Sequence, residues 1–475
     1  MTILQPLSKN CYVIPKQDKM HVEARVYLSR KMARSFHEKE TLTQLMDAAS
    51  LPGVYKYVLG MPDIHRGFGL PIGGVMAMDA EDGVVSSGAV GMDINCGVRL
   101  LKTNIPAAEI DKPLLRKIMQ AIVARVPTGI GKQSRHAKNI GDILNTVVTD
   151  GVPALLKMGI GRREDIESVE EQGKFPGADL KAVSKKAISR SNQLSTIGGG
   201  NHFIEIGYVA EIFDRDFSGK MGLHKGYLTV LIHTGSRGFG HQICTDYSDS
   251  MKKDAARMKI PLPNAGLASV PIKSPQGKKY LAAMACAVNF AFCNRQWITH
   301  DVREAFADIL GGKDTDYDLG IVYDVAHNIA KFETIDGKKL LIHRKGATRA
   351  LPPGHPLNPP GFLSTGHPAI IPGSMGTSSY IVTGTKKVSA TFNSVNHGAG
   401  RLLSRSAAKK EICVKELEQK MKDILIMGRD FRVFLDEAPQ AYKDIDSVID
   451  TLAEIGITHK VARLFPLAVI KGEGF

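Results

Sequence analysis

The chain has 475 residues, 43% hydrophobic and 23% charged, a balance that excludes an intrinsically disordered protein and allows a large core. Lys plus Arg (62) exceed Asp plus Glu (48), giving +14, which favours an anionic partner, nucleic acid foremost. No apolar run approaches the roughly 18 residues of a membrane span, and MTILQPLSKN lacks signal-peptide character, so a cytoplasmic protein with no membrane partner is expected.

In chain order, HRGFGLPIGG at 65–74 is glycine-rich but departs from GxGxxG. GAVGMDINCGVR at 88–99 sets Asp93 three residues before Cys96, between Gly91 and Gly97. Glycines permit the tight backbone that lets a carboxylate and a thiolate converge; an Asx-turn beside an inert buried cysteine is the alternative. Apolar periodicity predicts a helix over 112–125. PTGIGKQS at 127–134 has glycines and a lysine, but not the spacing of a Walker loop, which the chain lacks. GGGNHFIE carries His202, and a strand over 226–233 ends on His233. A long helix is expected over 278–310, then strands over 318–326, just before His327, and over 338–343. The Pro- and Gly-rich stretch 351–374 reads as an ordered loop, 379–392 as a strand, and 404–425 and 443–454 as helices. Helices and strands mix without regular βαβ alternation, so a single α+β domain spanning 1–475 is predicted, with no Rossmann sheet.

Four histidines, His202, His233, His327 and His397, follow apolar or glycine-rich runs and precede turn-forming residues. That context holds an imidazole rigidly while the next loop leaves room for a ligand. Three of them with Asp93 and Cys96 form a ligand set for one or two divalent metals, a thiolate being able to bridge. The six cysteines form no CxxC pair, so neither a zinc ribbon nor a disulfide framework is expected. PGSMGTSSY at 372–380 and HGAGR at 397–401, ahead of a helix near Ser404, offer N–H and O–H donors to an anion. A neutral histidine beside such a site is a nucleophile toward phosphorus. Aromatics are only 6%, with Trp297 the single tryptophan, so a basic groove tracking a nucleic-acid backbone fits better than a row of stacking rings. SRHAK at 134–138, GRR at 161–163, SKKAISR at 184–190 and HRKGATR at 343–349 are candidate phosphate grips.

Together, PDIHRGFGLPIGG, GMDINCGVR, GGGNHFIE, HTGSRGFG, VYDVAHN, HRKGATRA, PGSMGTSSY, NHGAGR and the near-terminal KG closely resemble the RtcB family of RNA-splicing ligases, in family order from 62 to 472. The resemblance implies one α+β domain of packed β-sheets flanked by helices, with a central metal-containing cleft. It implies GTP- and Mn2+-dependent joining of RNA 3′-phosphate or 2′,3′-cyclic phosphate ends to 5′-hydroxyl ends, in tRNA splicing or RNA repair. Asp93, Cys96 and His202 would hold one Mn2+, and Cys96, His233 and His327 a second. His397 would be the catalytic residue that carries GMP. Guanylate contacts would come from Asn201, His202, Phe203, Ile204 and Glu205, from His327 and Asn328, from Ile371, Pro372, Gly373, Ser374 and Ser378, and from His397, Gly398, Ala399 and Gly400. Tyr442 and Lys471 would lie against the base, Glu205 accepting from guanine N1–H and N2–H and the lysine donating to O6. Asp63 and His65 fall in the fingerprint without an assigned step. Glu473-Gly474-Phe475 extends beyond the KG at which the family pattern ends. A rival reading is a dinuclear-metal RNA-end phosphoesterase that never accepts GMP; another is a noncatalytic RNA-binding protein. The partners implied are RNA, cleaved tRNA or another RNA with such ends, and an activating protein.

Overall fold

The computed structural model describes residues 4–427 and 430–472; the Glu473-Gly474-Phe475 extension lies outside them. Two mixed sheets face each other. The first orders its strands as Gln5–Ser8, Cys11–Ile14, Glu23–Tyr27, Val54–His65, Ile72–Asp79, Lys338–Lys345 and Asn328–Ile335. The second runs Ile321–Ala326, Gly97–Pro106, Tyr227–Thr234, Phe203–Ile212, Thr458–Lys471, Ser379–Gly384 and Pro368–Ile371, with Leu425–Ile426 added in parallel beside Thr458–Lys471.

Period-two alternation sorts the side chains into two cores. Leu59, Met61, Val75, Leu340 and Ile342 from the first sheet meet Val98, Leu100, Phe203 and Leu231 from the second in a shared interior. The alternate residues, among them Val58, Met76, Leu341, Leu101, Ile204, Val230 and Ile232, join a second cluster that the helices complete. The expected α+β architecture is what the fold shows.

The helix Lys112–Arg125 starts where Asp111 accepts a hydrogen bond from Leu114 N at 2.8 Å, and it buries Leu115, Ile118, Met119 and Ile122, one face at helical spacing. The helix Pro275–Leu310 starts on a Ser274 cap with Pro275 in the first turn, and stops at Gly311, whose φ is +84°. Its 36 residues make it about 54 Å long, and its middle is buried all round.

Two expected elements break. The periodic stretch 404–425 is two helices, Arg405–Glu411 and Val414–Lys420, because Ile412 turns to extended backbone and buries its side chain in the inter-sheet core. The strand read over 379–392 stops at Gly384; Thr385 then caps a 3₁₀ turn, Lys386–Thr391, by accepting from Lys387 N at 3.0 Å. Within the 351–374 loop, Pro368–Ile371 is an edge strand of the second sheet. Among the described residues no helix is long and apolar enough to cross a membrane.

Candidate metal centre and nucleophile

Antiparallel pairing brings the metal-ligand candidates to one end of the second sheet. Cys96 immediately precedes Gly97–Pro106 and His202 precedes Phe203–Ile212, while His233 nearly ends Tyr227–Thr234 and His327 follows Ile321–Ala326. These four strands are neighbours, with Val98 and Phe203 both in register with His233. Residues distant along the chain thus become adjacent.

The donor atoms converge. Cys96 Sγ lies 3.3 Å from His202 Nε2 and 3.4 Å from His233 Nε2, and His233 Nε2 is 3.3 Å from His327 Nε2. His202 Nε2 is 2.9 Å from Asp93 Oδ2. Two groups follow, Asp93–Cys96–His202 and Cys96–His233–His327, each with its donor atoms within 4.8 Å of one another and sharing the one sulfur. Burial opposes the Asp93 charge, yet His202 and Arg237 beside it hold the carboxyl well below the usual carboxylate range. Burial holds the imidazoles of His202, His233 and His327 down, hence neutral, the form that ligates metal. Burial, and then the Asp93 charge, push the Cys96 thiol up, so only a bound cation would make a thiolate favourable here. By chemistry and geometry these residues fit divalent ions.

The loop that carries Asp93 and Cys96 is pinned from several sides. Asn328 Nδ2 donates to Asp93 O at 3.0 Å and Asn328 Oδ1 accepts from Gly346 N at 2.9 Å, so this side chain braces two loops of the cavity. Asn95, at φ +54°, donates through Nδ2 to Val288 O on the long helix. Arg237 donates to His202 Nδ1 at 2.8 Å, and Gly198, at φ +90° where a side chain would be strained, packs against that guanidinium.

His397 follows the short strand Ser394–Asn396, which pairs with Ala347–Arg349. Its Nδ1 lies 2.6 Å from Asp63 Oδ2, and the same oxygen accepts from His397 N at 3.0 Å and Gly398 N at 3.3 Å. Asp63 is wholly buried, and its grip puts the proton on Nδ1 and leaves the Nε2 lone pair free. The imidazole sits 4.8 Å, centroid to centroid, from that of His327. Lys443 supports Asp63 in turn: its ammonium donates to the Pro62 carbonyl at 3.2 Å and to that of Ile64, and its backbone N donates to Gly400 O at 2.9 Å. Gly400, at φ +76°, lies so close to the Asp63 backbone that a Cβ would collide with the Asp63 carbonyl oxygen. His65 contributes a 2.8 Å contact from Nδ1 to Asp63 O, and burial pushes its imidazole down to about 3.

Asp93, Cys96, His202, His233, His327 and His397 all line one cavity of about 780 Å³, together with Asn201, Asn328, Arg190, Arg237, Lys345 and Arg405. Of the basic stretches, two therefore reach the cavity, through Arg190 and Lys345. The others are engaged elsewhere: Arg135 pairs with Asp301 at 2.6 Å and Arg162 with Asp314 at 2.7 Å.

The residues expected around guanine lie behind this cavity. Glu205 and Phe203 share the inter-sheet face of their strand, whereas the Ile204 side chain joins the helical core and leaves only its backbone to that side. Burial pushes the Glu205 carboxyl up to about 8. Lys471 Nζ lies 5.7 Å from the centre of the Phe203 ring and 3.6 Å from Glu437 Oε2. Tyr442 donates to Glu437 and accepts from Arg401 at 3.0 Å. Burial works against the charge of Glu437, but Lys471, Arg401 and Arg405 hold its carboxyl low. The Ile371–Ser374 loop is braced by Ser379 Oγ accepting from Gly373 N and Thr377 Oγ1 accepting from Ser374 N, and its Pro372 carbonyl faces Gly398, in the same run as Ala399 and Gly400. Ser378 is half-buried on that loop.

Sequence reading left Asp63 without a role and passed over Lys443, Arg237 and Glu437. Asp63 and Arg237 stood in motifs already quoted, PDIHRGFGLPIGG and HTGSRGFG; Lys443 and Glu437 carry no local signal, since each matters through contacts made only in the folded chain.

The family described as "tRNA-splicing ligase RtcB" matches residues 44–472. Curated relatives bearing that name include those of Thermococcus kodakarensis, 44% identical, Archaeoglobus fulgidus, 43%, and Nanoarchaeum equitans, 45%, each aligned over 99% of both chains. The strand-end cluster, the Asp63-held histidine and this end-to-end similarity converge on one conclusion: the chain belongs to the RtcB family.

Proposed function

We propose that this protein is a GTP-dependent RNA ligase, active in the cytoplasm in tRNA splicing or RNA repair, that joins 3′-phosphate or 2′,3′-cyclic phosphate ends to 5′-hydroxyl ends. One observation carries the reading: His397 presents a free Nε2 to the same cavity that gathers Asp93, Cys96, His202, His233 and His327. A phosphoesterase needs the metals but not a nucleophile prepared in this way.

Asp93, Cys96 and His202 would hold one divalent ion and Cys96, His233 and His327 another. Their softness alone would favour zinc; manganese follows from the family resemblance. Such ions, when bound, neutralise phosphate charge and polarise the P–O bonds under attack. His397 Nε2 attacks the α-phosphorus of GTP, a P–N bond forms, and the P–O bond to pyrophosphate breaks. Asp63 stabilises the positive charge that this attack places on the imidazole, keeping the proton at Nδ1. GMP then passes to the RNA 3′-phosphate, the 5′-hydroxyl oxygen attacks that activated phosphorus, and GMP leaves. A cyclic end is first opened by water.

Glu205 would accept from guanine N1–H and N2–H. Alone it is held neutral by burial, and two facing donors favour its ionised form. Lys471 would leave Glu437 to donate to O6, with Tyr442 against the ring. Arg190, Arg237, Arg405 and Lys345 would receive RNA phosphates.

The test is radiolabelled GTP with Mn2+. A protein–GMP adduct, labile in acid and stable in alkali, is expected for the wild type and absent from His397→Ala. An undiminished adduct in that variant overturns the assignment.

A further inference from the structure

Phe68 leaves 45% of its surface exposed and lines the cavity that holds His397. Isolated exposed apolar residues are ordinary, but this one is built into place. The buried Lys345 ammonium donates to the carbonyls of Phe68 and, at 3.0 Å, Gly88. Gly69, at φ +80°, packs so tightly on Gly266 that neither position tolerates a side chain. The backbone under the ring is therefore rigid while the ring stays bare. Ile130, 42% exposed, lines the same cavity. Arg190 on its wall pairs with no carboxylate among the described residues, which leaves its charge for a polyanion, while Lys345 is spent on holding the Phe68 backbone. A bare aromatic face and an unpaired guanidinium on one cavity wall is the combination that binds single-stranded nucleic acid.

We propose that Phe68 is the stacking platform for the nucleobase next to the RNA break, with Ile130 adding apolar contact at the same opening. The proposal rests on the ligase reading, for it makes RNA the occupant. One ring, rather than a row of them, grips a single nucleotide and leaves the rest of the strand to basic groups. Stacking tolerates any base, because each presents a π face, so ends of differing sequence are held alike.

The test uses two short RNAs, one with 2-aminopurine as the last nucleotide before a 3′-phosphate, the other with it as the first nucleotide after a 5′-hydroxyl. Each is titrated with the full-length protein without GTP, so the readout stands whether or not His397 accepts GMP. In one of the two strands emission should fall on binding. Phe68→Ala should abolish that quenching and weaken binding of that strand by about tenfold or more, the range for losing one base–aromatic stack. Phe68→Trp should retain both properties. Phe68→Leu, which keeps apolar bulk, should lose the quenching. Quenching that persists in Phe68→Leu or Phe68→Ala, or that is absent from both strands in the wild type, overturns the proposal.

Discussion

Two buried polar clusters lie close together, at and behind the end of the second sheet, and they differ in whether opposite charges are paired. Behind the metal-ligand candidates, Asp324 accepts from Arg99 Nε at 2.7 Å and from Arg295 Nε and Nη2 at 2.9 and 2.8 Å, all three side chains being wholly buried. Arg295 Nη1 donates to Asn95 O and Thr234 O, and Arg99 Nη1 reaches Gln296 and Thr299, with Arg99 Nη2 alone left without a partner. In front, Asp93 Oδ2 faces His202 Nε2 at 2.9 Å, His233 Nδ1 is buried without a hydrogen-bond partner, and the ring nitrogens of His233 and His327 point at one another. The first cluster holds the fold. The second gathers a carboxylate, a thiol and three imidazoles with their donor atoms converging, the donor set that suits divalent ions.

The sharpest way to break this contrast pairs Cys96→Ala with Asp324→Asn. Cys96→Ala removes the only sulfur shared by both ligand groups, so metal analysis should show loss of bound divalent ion, with little change in melting in the presence of chelator. Asp324→Asn should lower stability by about 3–5 kcal/mol, because it leaves two buried guanidinium groups uncompensated. Denaturant unfolding and metal analysis on both proteins decide the matter; equal loss of stability would erase the distinction.

A narrower effect belongs to Asp63, which is buried like Asp324 but serves His397. Asp63→Asn should slow formation of the GMP adduct on the order of 10²–10⁴-fold, the range associated with positioned proton-holding groups. Single-turnover kinetics with labelled GTP measure it, and an unchanged rate would reduce Asp63 to a structural residue.

The smallest effect concerns Glu205. Its carboxyl is raised by burial from an ordinary 4.5 to about 8, so the folded protein binds more protons than the unfolded chain between those values. Its contribution to stability is therefore fully present below about 4.5 and is lost as pH rises through about 8. Glu205→Gln should flatten the decline in unfolding free energy across that window. A slope identical to that of the wild type would mean that Glu205 is already ionised in the fold.

Much of this was legible beforehand where a residue announces itself locally. Asp111, Pro113 and the 3–4 spacing of Leu115, Ile118, Met119 and Ile122 mark a helix without help from elsewhere. The motifs around Asp93, Cys96 and the four histidines also identify the ligand candidates, because glycine and turn residues flank each one. The stretches 404–425 and 379–392 misled for a common reason. Their apolar periodicity was real, but burial of Ile412 and the Thr385 cap redirected the backbone, and both effects depend on what packs nearby.

By itself, then, the sequence determined the local geometry: which segments curl or extend, and which side chains stand at the ends of strands. Only the tertiary structure decided which strand ends are neighbours, that Asp63 reaches His397 across more than three hundred residues, and that Asp93 meets His202 beside Cys96. The physical reason is that backbone conformation responds to adjacent residues, whereas hydrogen-bond satisfaction and convergence of donors depend on sheet order and register, which arise when the whole chain packs.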